Sequence, residues 1–467
     1  MSEVKVNKIS PRSGTTVTLG DSGDTFTIPS GATINNQGTA TNFGPTGSVS
    51  WQTTVKSAGF TATAGEGYFI DTSSGAISVN LPAGTAGAVV GFSDYAQNFD
   101  THALTLVQNG SDKIAGSATN SQISTEGIAV TLVFVDSTKG WIVTDSGLQS
   151  DAPGPVFVSA TGGDSTTTVG DFKIHKFSSP GTFCVSNAGN AAGSNIVQVL
   201  LVAGGGGGGG DRGAGAGGGG VILTPCAGVS VTATGFPISV GGGGTGGPGP
   251  GPGPARNGTQ GTNTTGISLT AIGGGFGVGG GGGVNPDSGG PGGSGGGGAV
   301  GDPGSQPHAG GPGTQTSQPG NSGTFGFGNN GGAGNPAGPP NHSSGGGGGG
   351  GAVGASGSPS SSGTGGAGKD ATPIFGTAPQ PFYEPSAGLY AGGGGGGASG
   401  SVGAGTGGTA TSGGGSGGSN PGAPSSPNGS VGTTNTGGGG GGGANTPGQG
   451  AGGNGGSGVV LIRYKFQ

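Results

Sequence analysis

Charge is what this chain of 467 residues has least of: Asp, Glu, Lys and Arg make up 7% of it. Between residues 204 and 462 they nearly vanish. Arg212, Arg256 and Lys369 stand there against Asp211, Asp287, Asp302, Asp370 and Glu384. Disordered chains are usually charge-rich, so this scarcity argues against a simple disordered tract. A net charge of −6 leaves no basic patch for nucleic acid. Two cysteines, Cys184 and Cys226, make no disulfide framework. Free thiols are the simpler reading, and a pairing between them stays open. The longest aliphatic stretches fall far short of the roughly 20 residues of a membrane span, so membrane insertion is not expected. The start, "MSEVKVNKIS", lacks the apolar core of a signal peptide.

Catalytic signals are also missing. His102, His175, His308 and His342 are scattered, with no cluster of metal-ligand spacing around them. No serine sits in a GxSxG elbow, and no carboxylates form an evident pair. The expectation is therefore no enzyme, no catalytic residue, no metal and no cofactor.

What is abundant is glycine. Of 131 glycines, 26 lie in residues 1–203 and 105 in residues 204–467; of 31 prolines, 7 and 24 divide the same way. An apolar strand enters the region as "VLLVAGGGGGGG" (Val199–Gly210), and "VVLIRYKFQ" (Val459–Gln467) leaves it. Long runs recur at Gly345–Gly351 and Gly437–Gly443, with shorter ones at Gly279–Gly283 and Gly392–Gly397. A phosphate loop needs GxxxxGK[ST], which does not occur. Collagen needs glycine strictly every third residue, a rule that "PGPGPGPARNGTQGT" breaks. A flexible linker has no need of such length. The remaining arrangement is a bundle of packed polyglycine II helices. Each has three residues per turn, rises about 3.1 Å per residue and points its amides and carbonyls outward at its neighbours. A rod enclosed on all sides must then be pure glycine. A rod at the bundle surface can carry one side chain per turn.

The rest of the chain reads as β structure, because no stretch sustains a 3.6-residue apolar period. Residues 1–50 form an expected oligomeric stem or attachment segment. Val17 and Leu19, Phe26 and Ile28, then Ile34 alternate in it, with too little apolar mass for a core of their own. Residues 51–147 form a small antiparallel, sandwich-like domain built on "EGYFID", "AISVNLP", "AVVGFSDY", "IAVTLVFVD" and "GWIVTD". In it "QNGS" (Gln108–Ser111) is a hairpin signal of type I′, and Trp51 and Trp141 serve as core or lid. A linker at 148–165, a β platform at 166–203, the polyglycine II domain at 204–458 and a closing platform strand at 459–467 complete the organisation. Ile196–Val202 and Val459–Phe466 are expected to share a sheet. The fold class is thus all-β: an oligomeric β stem, a small β module, then a platform carrying the glycine bundle.

Loops rich in Pro, Asn, Ser and aromatics interrupt the glycine. "GTFGFGNNGG" and "ATPIFGTAPQPFYEPSAGLYAG" contain Phe325, Phe327, Phe375, Phe382, Tyr383 and Tyr390. Loops on a stiff scaffold are where binding surfaces are commonly built, so these six are the candidates for contact with a ligand, a sugar face or another protein. The competing reading is that Phe375, Phe382 and Tyr390 cap the ends of the rods.

"VNKISPRSGTTVTLGDSGDTFTIPSGATI" resembles the amino-terminal segments of tail-fibre proteins of marine bacteriophages, including those of cyanobacteria. "WQTTVKSAGFTATAGEGYFIDTSSGAISVNLPAG" is similar to a β module of the same proteins. "FKIHKFSSPGTFCV", "VQVLLVAGGGGGGG" and "GGSGVVLIRYKF" resemble the glycine-rich, adhesin-type domain that closes many phage fibres. The resemblance implies a virion tail fibre, made in the host cytoplasm. Its N-terminus would hold a virion tail or baseplate protein, and its distal loops would meet a host surface glycan or outer-membrane protein. The thin stem calls for a homotrimer. The alternatives are a collar fibre or baseplate decoration without a receptor role and, further off, a glycan depolymerase.

Overall fold

The computed structural model describes residues 9–11, 13–18, 21, 24, 25, 27, 49–148, 155–191, 193–250, 253–280, 288–300, 308–315, 325–335, 342–359, 361–398, 405–420, 426–445 and 448–467. Most of the expected stem at 1–50, including Leu19, Phe26, Ile28 and Ile34, lies outside the described residues. The chain divides into two compact units, Met1–Pro153 and Gly154–Gln467.

The first unit holds β1 (Ser50–Lys56), β2 (Phe60–Thr61), β3 (Glu66–Ile70), β4 (Ile77–Asn80), β5 (Val89–Asp94), β6 (Leu104–Val107), β7 (Ser121–Ile123), β8 (Ile128–Phe134) and β9 (Trp141–Leu148). They form a five-stranded sheet, β1-β3-β5-β8-β9, and a four-stranded sheet, β2-β4-β6-β7. Tyr68, Phe92 and Leu132 of the first meet Val79 and Leu106 of the second, and Leu81 just past β4, in one core. The alternation Ile77, Val79 inward and Ser78, Asn80 outward is the sequence pattern of β4 made visible.

Two packed sheets are present, but the expected antiparallel pairing is corrected. From β1 to β6 the chain alternates between sheets, so each strand lies parallel to the one two places earlier: β1 with β3, β3 with β5, β2 with β4 and β4 with β6. Only β7, β8 and β9 are added antiparallel. The expected two-residue hairpin at Gln108–Ser111 is corrected too. A turn does form there, with Asp112 N donating to Asn109 O at 2.9 Å and Gly110 at φ 54°. The chain then leaves toward Trp141, and β6 finds its partner in β7 instead. Trp141 is fully buried. Trp51 is 41% exposed and lies over Gly67, where a Cβ would come within 2.8 Å of the indole.

The second unit opens with β10 (Val158–Thr161), inside the expected linker. It continues with β11 (Ser165–Val169), β12 (Phe172–Phe177), β13 (Gly181–Ala188), β14 (Ile196–Val202), β15 (Val221–Leu223), β16 (Val229–Ser230), β17 (Gly235–Ile238), β18 (Thr264–Gly266), β19 (Leu269–Ala271), β20 (Gly326–Phe327), β21 (Lys369–Asp370), β22 (Leu389–Tyr390) and β23 (Val459–Lys465). The platform is the sheet β11-β12-β23-β14-β15-β20, with β16 on the start of β14. The two strands that bound the glycine region do pair, antiparallel, from Gln198↔Arg463 to Val202↔Val459. Strands β15, β16 and β20 come from within residues 204–458, so the platform recruits the glycine region as well as flanking it.

Beyond Val202 the glycines form extended rods whose hydrogen bonds repeat every third residue. Gly204, Gly207 and Gly210 donate to Thr262, Thr259 and Arg256 carbonyls. Gly205, Gly208 and Asp211 donate to Gly456, Gly453 and Gly450, while Gly206 and Gly209 donate to Gly217 and Ala214. Partner numbers fall by three, so these neighbours run antiparallel. The carbonyls of Gly204, Gly207 and Gly210 accept from Gly274, Gly277 and Gly280. Those of Gly205 and Gly208 accept from Gly244 and Gly247, and those of Gly206 and Gly209 from Gly440 and Gly443. These partner numbers rise by three, so the neighbours run parallel. One rod is thus bonded to six segments, with a period that a three-residue turn produces.

The same packing leaves no room for side chains. A Cβ on each residue from Gly204 to Gly210 would sit 1.9–2.2 Å from the carbonyl oxygens of Gly242, Gly438, Gly275, Thr245, Gly441, Val278 and Pro248 in turn. All seven oxygens belong to the three parallel neighbours. Seven glycines in a row are therefore a packing requirement.

Outer rods differ. From 241 to 247, burial falls on every third residue, Gly241, Gly244 and Gly247. Where a further rod would have supplied acceptors, side chains do so. Asn454 Oδ1 accepts from Gly246 N (2.7 Å), Asn257 Oδ1 from Gly279 N (2.8 Å) and Asn330 Oδ1 from Gly313 N (2.8 Å). Thr262 Oγ1 accepts from Gly242 N (2.7 Å).

Candidate functional site

The aromatic candidates converge on the platform. A single helical turn, Thr372–Phe375, and a 3-10 turn, Pro381–Tyr383, fold the loop after β21 back over the sheet. Phe375, Phe382, Tyr383 and Tyr390 are 1–2% exposed. They pack on Ile174, Leu200, Val202, Val221, Val459 and Leu461. Phe325 is buried on the opposite face, among Val199, Leu201, Ile462 and Tyr464. Phe327 is half-buried and carries Lys369 Nζ 3.7 Å from its ring centroid. The platform is thus apolar on both faces, which explains why β14 reads as the near-continuous run "IVQVLLV" rather than an alternation.

The loop is tied by hydrogen bonds both within itself and to the platform. Tyr383 Oη donates to Gly376 O at 2.5 Å, and Lys176 Nζ donates to Glu384 O at 2.7 Å. Burial pushes both phenols up, Tyr390 to about 12. Five of the six candidate rings therefore present almost no surface to a ligand. Their location is that of the capping alternative, at the platform end of the rods. Nothing in local sequence separates a loop of rings and prolines on a surface from one folded over a sheet. The only available signal is the loop's poverty in charge.

At the other end of the central rod, Asp211 and Arg212 both take left-handed φ values, 43° and 55°, to reverse the chain. Asp211 is fully buried and ion-paired with Arg256. Arg256 also donates to Gly280 O at 2.9 Å. This charge cluster was not expected from sequence; the rarity of charge in the glycine region was its signal. Residues 281–287, 301–307, 316–324, 336–341, 399–404 and 421–425 lie outside the described residues.

A third polar cluster ties the C-terminal strand down. Buried His175 of β12 donates from Nδ1 to Gly162 O (2.6 Å), leaving Nε2 to accept from Tyr464 Oη (3.1 Å). Burial pushes the imidazole below its ordinary 6.5. Cys184 and Cys226 are exposed free thiols. Among the described residues no group of three or more His, Cys, Asp or Glu is placed to hold a metal ion, and no helix is long and apolar enough to cross a membrane.

Two family models match the sequence. A glycine-rich domain matches residues 178–465. The N-terminal part of the bacteriophage T4 gp9/10-like proteins matches residues 19–148. No curated protein matches the chain.

Proposed function

The chain belongs to the glycine-rich domain family, and from that premise we propose that it is a structural protein of a phage tail, of the fibre or baseplate type. One observation carries the reading: a T4 gp9/10-like match at 19–148 and the glycine-rich match at 178–465 occur in order on one chain. In the finer reading, the N-terminal part holds a tail or baseplate protein and assembles as a homotrimer. The rods are polyglycine II helices, a stiff mount fixed at one end by the platform. Connections at the far end of the rods meet a host surface glycan or outer-membrane protein. The marine origin rests on resemblance of sequence alone. The aromatic loop belongs to the mount, and no catalytic step is assigned to the chain.

The second reading is a tail component without a receptor role. It is favoured by the burial of five of the six aromatic candidates. A competition experiment separates the two. Purified full-length chain is added to host cells before virions that carry it. Recognition predicts a saturable fall in adsorption. Unchanged adsorption at saturating chain establishes the second reading, and light scattering of the same sample tests the trimer.

A further inference from the structure

Arg463 sits on the platform face that the aromatic loop covers, toward the end of β23 away from the rods. Its guanidinium stacks on Phe172, 3.5 Å from the ring centroid. Nη1 donates to Gln198 Oε1. Both contacts follow from register, because Ile174, Arg463 and Gln198 are neighbours across β12, β23 and β14, and Phe172 opposes Lys465. Two segments flank the group. One is the turn holding Cys226, whose carbonyl accepts from Gln198 Nε2 at 3.1 Å. The other carries Tyr383. Burial pushes the guanidinium down, and only the Cys226 thiol and the Tyr383 phenol act on it electrostatically in the opposite sense. No carboxylate among the described residues forms an ion pair with Arg463; such pairs in this unit involve Arg212 and Arg256.

A half-buried cation without a carboxylate partner is costly, and a guanidinium fork held flat by stacking is shaped for a carboxylate. Lys465 adds a second positive charge on the same face, two residues along the strand, beside Phe157 (5.5 Å). Phe172 is itself half-exposed and offers apolar surface next to both cations.

We propose that Arg463, Lys465, Gln198 and Phe172 form a binding site for an acidic glycan, in which a uronic acid carboxylate takes the open edge of Arg463 and the sugar ring rests beside Phe172. The origin of the glycan, a host surface, rests on the recognition reading above; the binding itself does not.

Titration calorimetry on the full-length chain tests it with four probes: an alginate hexasaccharide, maltohexaose, inorganic phosphate and a glutamate-rich peptide. The expected result is saturable binding of the hexuronate alone, weakened by about 0.5 M salt. Arg463→Gln lowers affinity about tenfold or more, equivalent to about 1.4 kcal/mol. Arg463→Lys does not restore it, since the fork is lost. Lys465→Gln lowers it roughly threefold and keeps the test open if the Arg463 variants fail to fold. The proposal is overturned if the wild-type chain ignores hexuronate, or if both substitutions leave its affinity unchanged. It is also overturned if phosphate or the peptide binds equally well. Hexuronate binding without competition against virions would sink the recognition reading and leave the site. Competition without hexuronate binding would do the reverse.

Discussion

The two units solve the same problem by opposite means. In the N-terminal module, side chains fill the space between sheets: Phe92, Leu81 and Trp141 are fully buried. In the glycine bundle the backbone fills the space, and side chains are excluded from the middle. The module is built on the hydrophobic effect with hydrogen bonds as a condition. The bundle is built on hydrogen bonds, against the high conformational entropy of glycine. Sensitivity to substitution should therefore have opposite sign: the module fails when atoms are removed, the rods when atoms are added.

The largest expected effect is from Gly208→Val, because even its Cβ would lie 2.1 Å from Gly441 O. No flexible side chain is there to yield, so the loss should exceed about 4 kcal/mol and remove the cooperative melting of the bundle. Gly242→Ala is the control. Its nearest atom is Thr262 Oγ1 at 3.8 Å, and a change within about 0.5 kcal/mol is expected. Equal tolerance at both positions would erase the contrast.

Cavity-forming changes come next. Phe92→Ala in the module and Phe382→Ala beneath the platform should each lose about 3–5 kcal/mol in denaturant titrations. If Phe382→Ala is harmless to stability, the loop is not part of the core. Asp211→Asn removes a charge that pairs with buried Arg256, and about 3 kcal/mol should go with it. At the bundle surface, Asn454→Ala strips the acceptor from Gly246 N, for about 1 kcal/mol. It also opens an unpaired backbone edge, so sedimentation should show lateral association at high concentration.

The smallest effect is a pH dependence. His175 is held below its ordinary 6.5, chiefly by burial. The unfolded chain therefore binds its proton first, so this contribution is full above 6.5 and declines as pH falls from there through the folded value. Melting temperatures across that window should drop on the acid side, and His175→Gln should flatten the slope.

Much of this architecture was legible in the sequence, for reasons that differ by region. The pairing of β14 with β23 could be read because two apolar strands bound one glycine region. The enclosed rods could be read because only a packing requirement explains seven residues without side chains. Parallel pairing in the module could not be read, since local alternation fixes which face of a strand is wet but not which strand lies beside it. The aromatic loop could not be placed for a related reason: its rings and prolines look alike whether folded over Leu200 and Leu461 or presented to solvent. The side-chain acceptors on outer rods, such as Asn257 and Asn454, become meaningful only once the neighbours of each rod are known.

Residue-resolved amide hydrogen exchange on the full-length chain tests the central claim most directly. The six-neighbour bonding of the rods predicts that Gly204–Gly210 and Gly437–Gly443 exchange as slowly as Val199–Val202 of β14. Exchange in those runs at the rate of a free glycine chain, with β14 still protected, would contradict it.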